Sequence, residues 1–395
     1  MEQNTKRINL IVATIVVAQF FCISVWFASN AVVEDLCFHF NLPVYYTAHL
    51  TTLVQLGFIS GTLVFTLFSI TDRMKPKWLY FGSALLAALF NYSIVFEFSN
   101  TNYILLFRFL TGFFLAGIYP VGMKIAADYF EKGLGKTLSF IVAALVLGTA
   151  LPHLIKYMGI GLNWKGVFTA TSVLAITGGV MMLFIKDGPF RKKAQSIQLK
   201  ETAKLFSNKQ FKLGSFGYFG HMWELYALWV FTPILLNQYV KYHVIESFNV
   251  SLWSFLIIGL GAIGCIVVGR IAHNKGASKL AYGSLSLSLI CCLIFPFVFY
   301  SSPGVFFPFM LLWGIVVIAD SALFSSIIAN SVSRELKGTA LTISKCIGFG
   351  ITICSIQLVG YLHSVFSSPF IYIILALGPL LAIIYSRITT SSKLL

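Results

Sequence analysis

Apolar runs of about 20 residues, long enough at about 1.5 Å per residue to cross a bilayer's hydrocarbon core, recur along this chain from end to end. Twelve can be placed, at 8–29, 47–70, 78–97, 103–127, 136–158 and 165–186, then at 212–238, 249–272, 278–300, 305–331, 338–362 and 368–387. Inside lipid a backbone must satisfy its own hydrogen bonds, so each run predicts a helix. The expected fold class is therefore all-α, a membrane protein of twelve transmembrane helices. Lys6-Arg7 before the first run imitates a signal peptide, but the run is too long and no Ala-x-Ala site ends it. It reads as span 1.

Between spans 6 and 7 the apolar pattern stops. Lys186, Arg191, Lys192, Lys193, Lys200, Lys204, Lys209 and Lys212 face only Asp187 and Glu201, and Gly188-Pro189 ends the preceding helix. Three parts follow: an N-terminal six-helix bundle over 1–186, a basic cytoplasmic linker over 187–211, and a C-terminal six-helix bundle over 212–395. Connections elsewhere are short apart from 30–46, where Glu34, Asp35, His39 and Asn41 are polar enough to sit in water. Loops on the linker's side hold twenty-two Lys and Arg, from Lys6 to Lys393, whereas the opposite side holds Lys156, Lys165 and Lys241. That bias places both termini and the linker in the cytoplasm.

A soluble domain carries about 25% charged residues; this chain carries 10%, with 58% hydrophobic. Its formal charge of +15 is spread over short loops, whereas nucleic-acid binding needs a clustered face, so no nucleic-acid partner is expected. Seven cysteines without a Cys-x-x-Cys pair suggest neither a disulfide framework nor a metal site. Walker-type loops, His-Glu-x-x-His and Gly-x-Ser-x-Gly are all missing, so an enzyme or a directly ATP-driven pump is not expected, and no cofactor is called for.

The two halves match. Asp72 and His273, in the loops after spans 2 and 8, are 201 residues apart. Trp26 and Trp229 are 203 apart, and Leu134 and Leu336, before spans 5 and 11, are 202 apart. A duplicated six-span unit is the architecture of many secondary transporters.

At these residues the chain resembles the major facilitator superfamily over its whole length. That family's signature after span 2 is Gly-x-x-x-Asp-Arg-x-Gly-Arg-Arg/Lys. Asp72, Arg73 and Lys77 match it, while Phe68, Lys75 and Pro76 replace two glycines and an arginine. The second copy keeps Gly269 and Gly276, with His273 and Asn274 in the Asp-Arg places. Arg108-x3-Gly112-x4-Gly117 resembles the span-4 Arg-Gly motif, and Gly148-Thr149-Ala150-Leu151-Pro152 departs from the span-5 antiporter motif. Gly220-His221-Met222-Trp223-Glu224-Leu225-Tyr226 and Ala319-Asp320-Ser321-Ala322-Leu323-Phe324-Ser325 resemble a bacterial nitrate/nitrite-porter-like branch of mostly unassigned substrate. The resemblance implies two six-helix repeats that rock around a central site. It also implies a cytoplasmic gate latch at Asp72, Arg73 and Lys77.

Charges inside spans are expensive and mark function. Glu224 in span 7 and Asp320 in span 10 lie near the bilayer middle and are the candidate proton-coupling groups, with His221 three residues before Glu224 on the same helical face. A packing role for the carboxylates is the weaker alternative. Arg108 in span 4 either contacts an anionic solute or forms a conformational salt bridge. Lys345 in span 11 is the second candidate anion contact, with Cys346 and Gly348 marking a small-residue packing face. Lys124 near the cytoplasmic end of span 4 reads as pairing with Asp128 or snorkelling. Gln55, Trp26, Trp223 and Tyr226 are candidate cavity-lining residues, and Gly57-x3-Gly61 permits close helix approach.

The expectation is a monomeric secondary transporter of the bacterial inner membrane whose partners are lipid, protons and a small-molecule substrate. Symport of a small anionic organic solute is the first reading. Proton-antiport export of an organic metabolite, drug or siderophore is the alternative.

Overall fold

Lipid leaves a spanning backbone few options, and the structure, a computed structural model, takes the expected one at each apolar run. It describes residues 2–43, 46–97, 100–129, 134–159, 163–190, 202–333 and 336–391, with the backbone alone at 2–7, 72, 134–136, 138, 202, 203, 273, 390 and 391. Most of the linker, 191–201, therefore lies outside the described residues. So do Lys132, Arg334 and Lys393 of the charge-bias reading. Among the described residues every regular element is helical. Ten helices among the described residues are long and apolar enough to cross a bilayer, from Tyr46–Leu67 to Pro369–Thr389. Span 1 is the shorter apolar helix Ile8–Ile23. Span 7 is the longest helix, Lys209–Tyr242 at 34 residues, and is less apolar because it carries His221 and Glu224.

Helix starts use local chemistry. Pro76 opens Pro76–Ser93, where its missing N–H costs nothing. Asn208 caps Lys209–Tyr242 by accepting from the backbone N–H of Gln210 and Phe211 at 2.8 and 3.0 Å. Several spans are broken. Span 1 leaves the helix after Ile23, turns through 24–27 and resumes as Ala28–Ala31. Span 4 divides into Asn102–Leu115 and Tyr119–Ala127, span 8 into Val250–Gly259 and Gly261–Lys275, and span 10 into Pro303–Ala319 and Ser321–Asn330.

The chain divides into two compact units, Met1–Ser196 and Ile197–Leu395. Within the first, spans 2 and 4 approach until backbone meets backbone: a Cβ at Gly57 would run into the Phe109 carbonyl, and one at Gly112 into that of Val54. Within the second, spans 8 and 10 do the same. There a Cβ at Gly264 would meet the Ile315 carbonyl and one at Gly314 that of Ile257. Gly112 and Gly314 are 202 residues apart, and Gly61 and Gly264 are 203. The internal repeat is thus a repeated glycine contact, the device that holds apolar helices together where lipid removes any hydrophobic gain from association.

The ends of the linker are tied to matching places. The Phe190 N–H donates to the Asp128 carbonyl at 3.0 Å, just after span 4, and Tyr129 donates its hydroxyl to the Lys186 carbonyl. On the other side Asn208 Nδ2 donates to the Ser331 carbonyl at 2.7 Å, just after span 10.

The 30–46 connection is less hydrated than its acids suggest. Val33–His39 is a helix whose Val33, Leu36 and Cys37 are buried with Trp164, Val167 and Phe168 of span 6. Its polar face meets the neighbouring helix ends of the same unit. Lys156 pairs with Asp35 at 3.0 Å, and Glu97 pairs with both Lys165 and His39, the latter at 3.4 Å.

Candidate functional site

Span 7 brings His221 and Glu224 to one face of a helix, three residues apart. In the second unit that face meets span 10, whose helix is interrupted at Asp320. Nδ1 of His221 lies 2.7 Å from Oδ1 of Asp320, and both side chains are at most 1% exposed. The contact is off the line of a well-directed hydrogen bond. Nε2 of His221 is buried without a partner.

Glu224 is held differently. Its Oε1 accepts from Ser288 Oγ at 2.5 Å and from Trp313 Nε1 at 2.7 Å. Ser288 lies on Ala277–Phe299 and Trp313 on Pro303–Ala319, so one carboxylate oxygen joins spans 7, 9 and 10. Trp313 and Ser288 are buried as well. The two segments that resemble the nitrate/nitrite-porter-like branch are therefore the two that meet through His221 and Asp320.

The other residues singled out in span 7 point elsewhere. Trp223 donates Nε1 to the Ile374 carbonyl at 2.9 Å and packs its Cβ on Gly378, both in span 12. Tyr226 is buried with its ring 5.5 Å from that of Trp229 and 5.4 Å from that of Phe349. Lys345 is half-buried on Lys337–Val365. Beside it Gly348 gives span 7 room for Tyr218 and Met222, which a Cβ there would strike.

In the first unit Arg108 is fully buried and all its hydrogen bonds are internal. It donates to the carbonyls of Val25 and Trp26 and, through Nη1 at 3.0 Å, to Oδ1 of Asn91. Val25 and Trp26 lie in the turn that breaks span 1. Their carbonyls have left the helical ladder, and in lipid an orphaned carbonyl costs several kcal/mol. The guanidinium supplies what the helix gave up. Among the described residues no carboxylate lies within ion-pair distance of Arg108; Nη1 and Nη2 both donate to the fold, and Nε is buried without a partner. Asn91 is itself fixed, with Nδ2 2.9 Å from Ser172 Oγ and 3.0 Å from Thr171 Oγ1 in span 6. Trp26 is buried with its ring 4.9 Å from that of Phe58, and Gln55 is fully buried in span 2.

Of the expected gate, the Asp72 side chain lies outside the described residues. Arg73 is exposed at the end of the short helix Ile70–Arg73. Lys77 donates Nζ to the Leu183 carbonyl at 3.2 Å, placing a cation at the C-terminus of span 6. Lys124 reaches the Thr71 carbonyl at 3.3 Å. Among the described residues no three His, Cys, Asp or Glu side chains converge as metal ligands.

Ser288, Trp313 and Asn91 are the site residues that sequence reasoning missed. A serine, a tryptophan or an asparagine in an apolar run is common, and only the third dimension shows what each holds.

A family model for the Major Facilitator Superfamily matches residues 15–354. An uncharacterised MFS-type transporter of Caenorhabditis elegans is 32% identical over 94 residues, a stretch that is 22% of this chain and 16% of that protein's length. A crystal structure of the nucleoside transporter NupG, in an aspartate-to-alanine mutant, superposes with a TM-score of 0.69 at 14% identity, over 97% of this chain and 98% of that one. At that identity the likeness carries the fold alone.

Proposed function

From the premise that this chain belongs to the major facilitator superfamily and is a multi-pass membrane transporter of a small-molecule substrate, we propose that it is a proton-coupled symporter. Its setting in this reading is the bacterial inner membrane, with both termini cytoplasmic as the basic loops require. It works as a monomer by alternating access. The observation that carries the coupling is the buried pair of carboxylates in the second unit, Glu224 and Asp320, each 1% exposed and each held by named partners. Acids at that depth are expensive and are kept where a proton or ion must be handled.

The two segments around those acids support a place in the nitrate/nitrite-porter-like branch. The solute in this reading is a small organic anion. Lys345 is its candidate contact, because Arg108 is already engaged with Val25, Trp26 and Asn91. Gln55, Trp26 and Tyr226 are further candidates for the solute's surroundings, and Asp72, Arg73 and Lys77 for the cytoplasmic latch. Export by proton antiport has the poorer support, since 148–152 departs from the span-5 antiporter pattern.

The test is uptake into proteoliposomes under an imposed pH gradient, after thermal-shift screening of the purified protein against organic acids, inorganic anions, amines and siderophores. A ligand that binds the folded state raises its melting temperature by mass action. Stabilisation by an anion class, greater at low pH, fits the proposal, and Glu224→Gln or Asp320→Asn should then abolish gradient-driven uptake. Stabilisation by cations alone would replace symport with export and make the two acids substrate contacts.

A further inference from the structure

The two donors on Glu224 are not equivalent, and the difference selects an atom. A carboxylate oxygen has about two lone-pair sites, and both on Oε1 are taken, one by Ser288 Oγ and one by Trp313 Nε1. A hydroxyl can turn and accept instead. An indole N–H can only donate, and Trp313 is fully buried, with Phe295 5.3 Å away ring to ring. Oε1 is thereby held as an acceptor whatever the state of the carboxyl. On this geometry we infer that Trp313 and Ser288 are positioning residues that reserve Oε2 of Glu224 as the oxygen that takes up and releases the transported proton. The inference rests on the proposed role of Glu224 in coupling.

The surroundings fit that division. The titratable groups facing Glu224 are the thiols of Cys291 and Cys292 on span 9, Asp320 on span 10 and, on its own helix, His221. Within this set Asp320 is already engaged with His221, which leaves Glu224 held only by neutral donors: Ser288 and Trp313 on Oε1, and the Cys292 thiol beside the carboxyl as a weak third donor. Trp313 stands seven residues before Asp320, two turns along one helical face. Span 10 is therefore tied to span 7 at two levels, Trp313 to Glu224 and Asp320 to His221. A proton arriving on Oε2 weakens the upper tie, because a donor bonds a neutral carboxyl less strongly than a carboxylate.

Infrared spectra of the full-length protein in lipid, titrated with acid, read this without a substrate. The protonated carboxyl of Glu224 is the C=O band that Glu224→Gln removes. Trp313→Phe keeps the ring and deletes the donor, so the band's midpoint should move about one pH unit higher, because a donor to the charged form is gone. Ser288→Ala should move it the same way by less, and Ser288→Thr should restore it. Neither variant should move anything in a Glu224→Gln background. An unchanged midpoint in both Trp313→Phe and Ser288→Ala overturns the positioning roles while leaving coupling at Glu224 intact. Absence of any titrating band that depends on Glu224 overturns the coupling reading itself. Should Trp313→Phe fail to fold, the Ser288 pair of variants decides alone.

Discussion

Nδ1 of His221 and Oδ1 of Asp320 lie 2.7 Å apart at the one residue where span 10 stops being helical. Asp320 has αR dihedrals, φ −88° and ψ −16°, so its backbone stays in the helical region across the interruption. The pair therefore joins span 7 to the junction between two helical pieces. Removing one member leaves the other buried alone, which costs about 3 kcal/mol or more. His221→Leu and Asp320→Leu should each lower the melting temperature of the purified protein. The double variant should lose clearly less than the sum of the two, since no unpaired group remains. Additive losses in that cycle would show that the two side chains are not coupled.

Arg108 supports a prediction that separates a clamp from a binding residue. Its two terminal nitrogens serve three acceptors on two other elements, a fork that lysine cannot reproduce. Arg108→Lys and Arg108→Ala should both destabilise the protein in the absence of any solute, by about 3 kcal/mol when two or more acceptors are left unmet. Asn91→Leu should repeat part of the loss. Once an anionic ligand is found, its Kd measured on whatever folded Arg108→Lys survives should stay near that of the unaltered protein. A full loss of binding with unchanged thermal stability would return Arg108 to the solute.

This residue also shows where the sequence stops being readable. The twelve spans are legible because a bilayer imposes a length and an apolar composition on each. The repeat is legible because its landmarks keep one offset. His221, Glu224 and Asp320 stand out because charge inside an apolar run needs a reason. Arg108 stood out for the same cause, but its partners are carbonyls exposed by a break in span 1 at Ser24-Val25-Trp26-Phe27, a stretch with no glycine or proline to announce it. Trp313 and Ser288 carry no charge, and nothing in their own segments distinguishes them from packing residues. Trp223 is a cavity-lining candidate only as an aromatic inside a span, and what its indole N–H bonds to, the Ile374 carbonyl of span 12, has no signal in its own segment.

The Glu97 clasp of the first unit has a pH dependence of definite sign. Glu97 sits after the span-3 helix in the left-handed region, φ 51°, and takes Lys165 and His39 as partners. Lys165, with His39 behind it, holds the Glu97 carboxyl below the usual glutamate range. A carboxyl whose value is lowered on folding contributes stability above its unfolded value, about 4.3, and loses it as pH falls through the lowered one. Acidification through that window should therefore reduce the melting temperature of the unaltered protein more than that of Glu97→Gln. The effect is small and should shrink further in salt, since the pair is solvent-exposed. Equal acid sensitivity of the two proteins would remove Glu97 from the account.

The repeated glycine contact allows the sharpest test of the fold. At Gly112 and Gly314 the neighbouring chain is backbone, the carbonyls of Val54 and Ile257, which cannot swing aside as a side chain can. Gly112→Ala and Gly314→Ala should each push a helix pair apart, spans 2 and 4 in one unit and spans 8 and 10 in the other. The price of that separation is lost packing along the whole pair, and packing is what holds spans together in lipid. Either substitution should sharply reduce the yield of monodisperse protein and its melting temperature. Gly283, on span 9, is the control: nothing lies within 4 Å of a Cβ there. Gly283→Ala should be neutral or slightly stabilising, because alanine favours the helix by up to about 1 kcal/mol. If the two contacts are equivalent parts of a duplicated unit, Gly112→Ala and Gly314→Ala should also cost similar amounts. A protein that accepts alanine at both positions with unchanged melting would rule out the close approach of these helices.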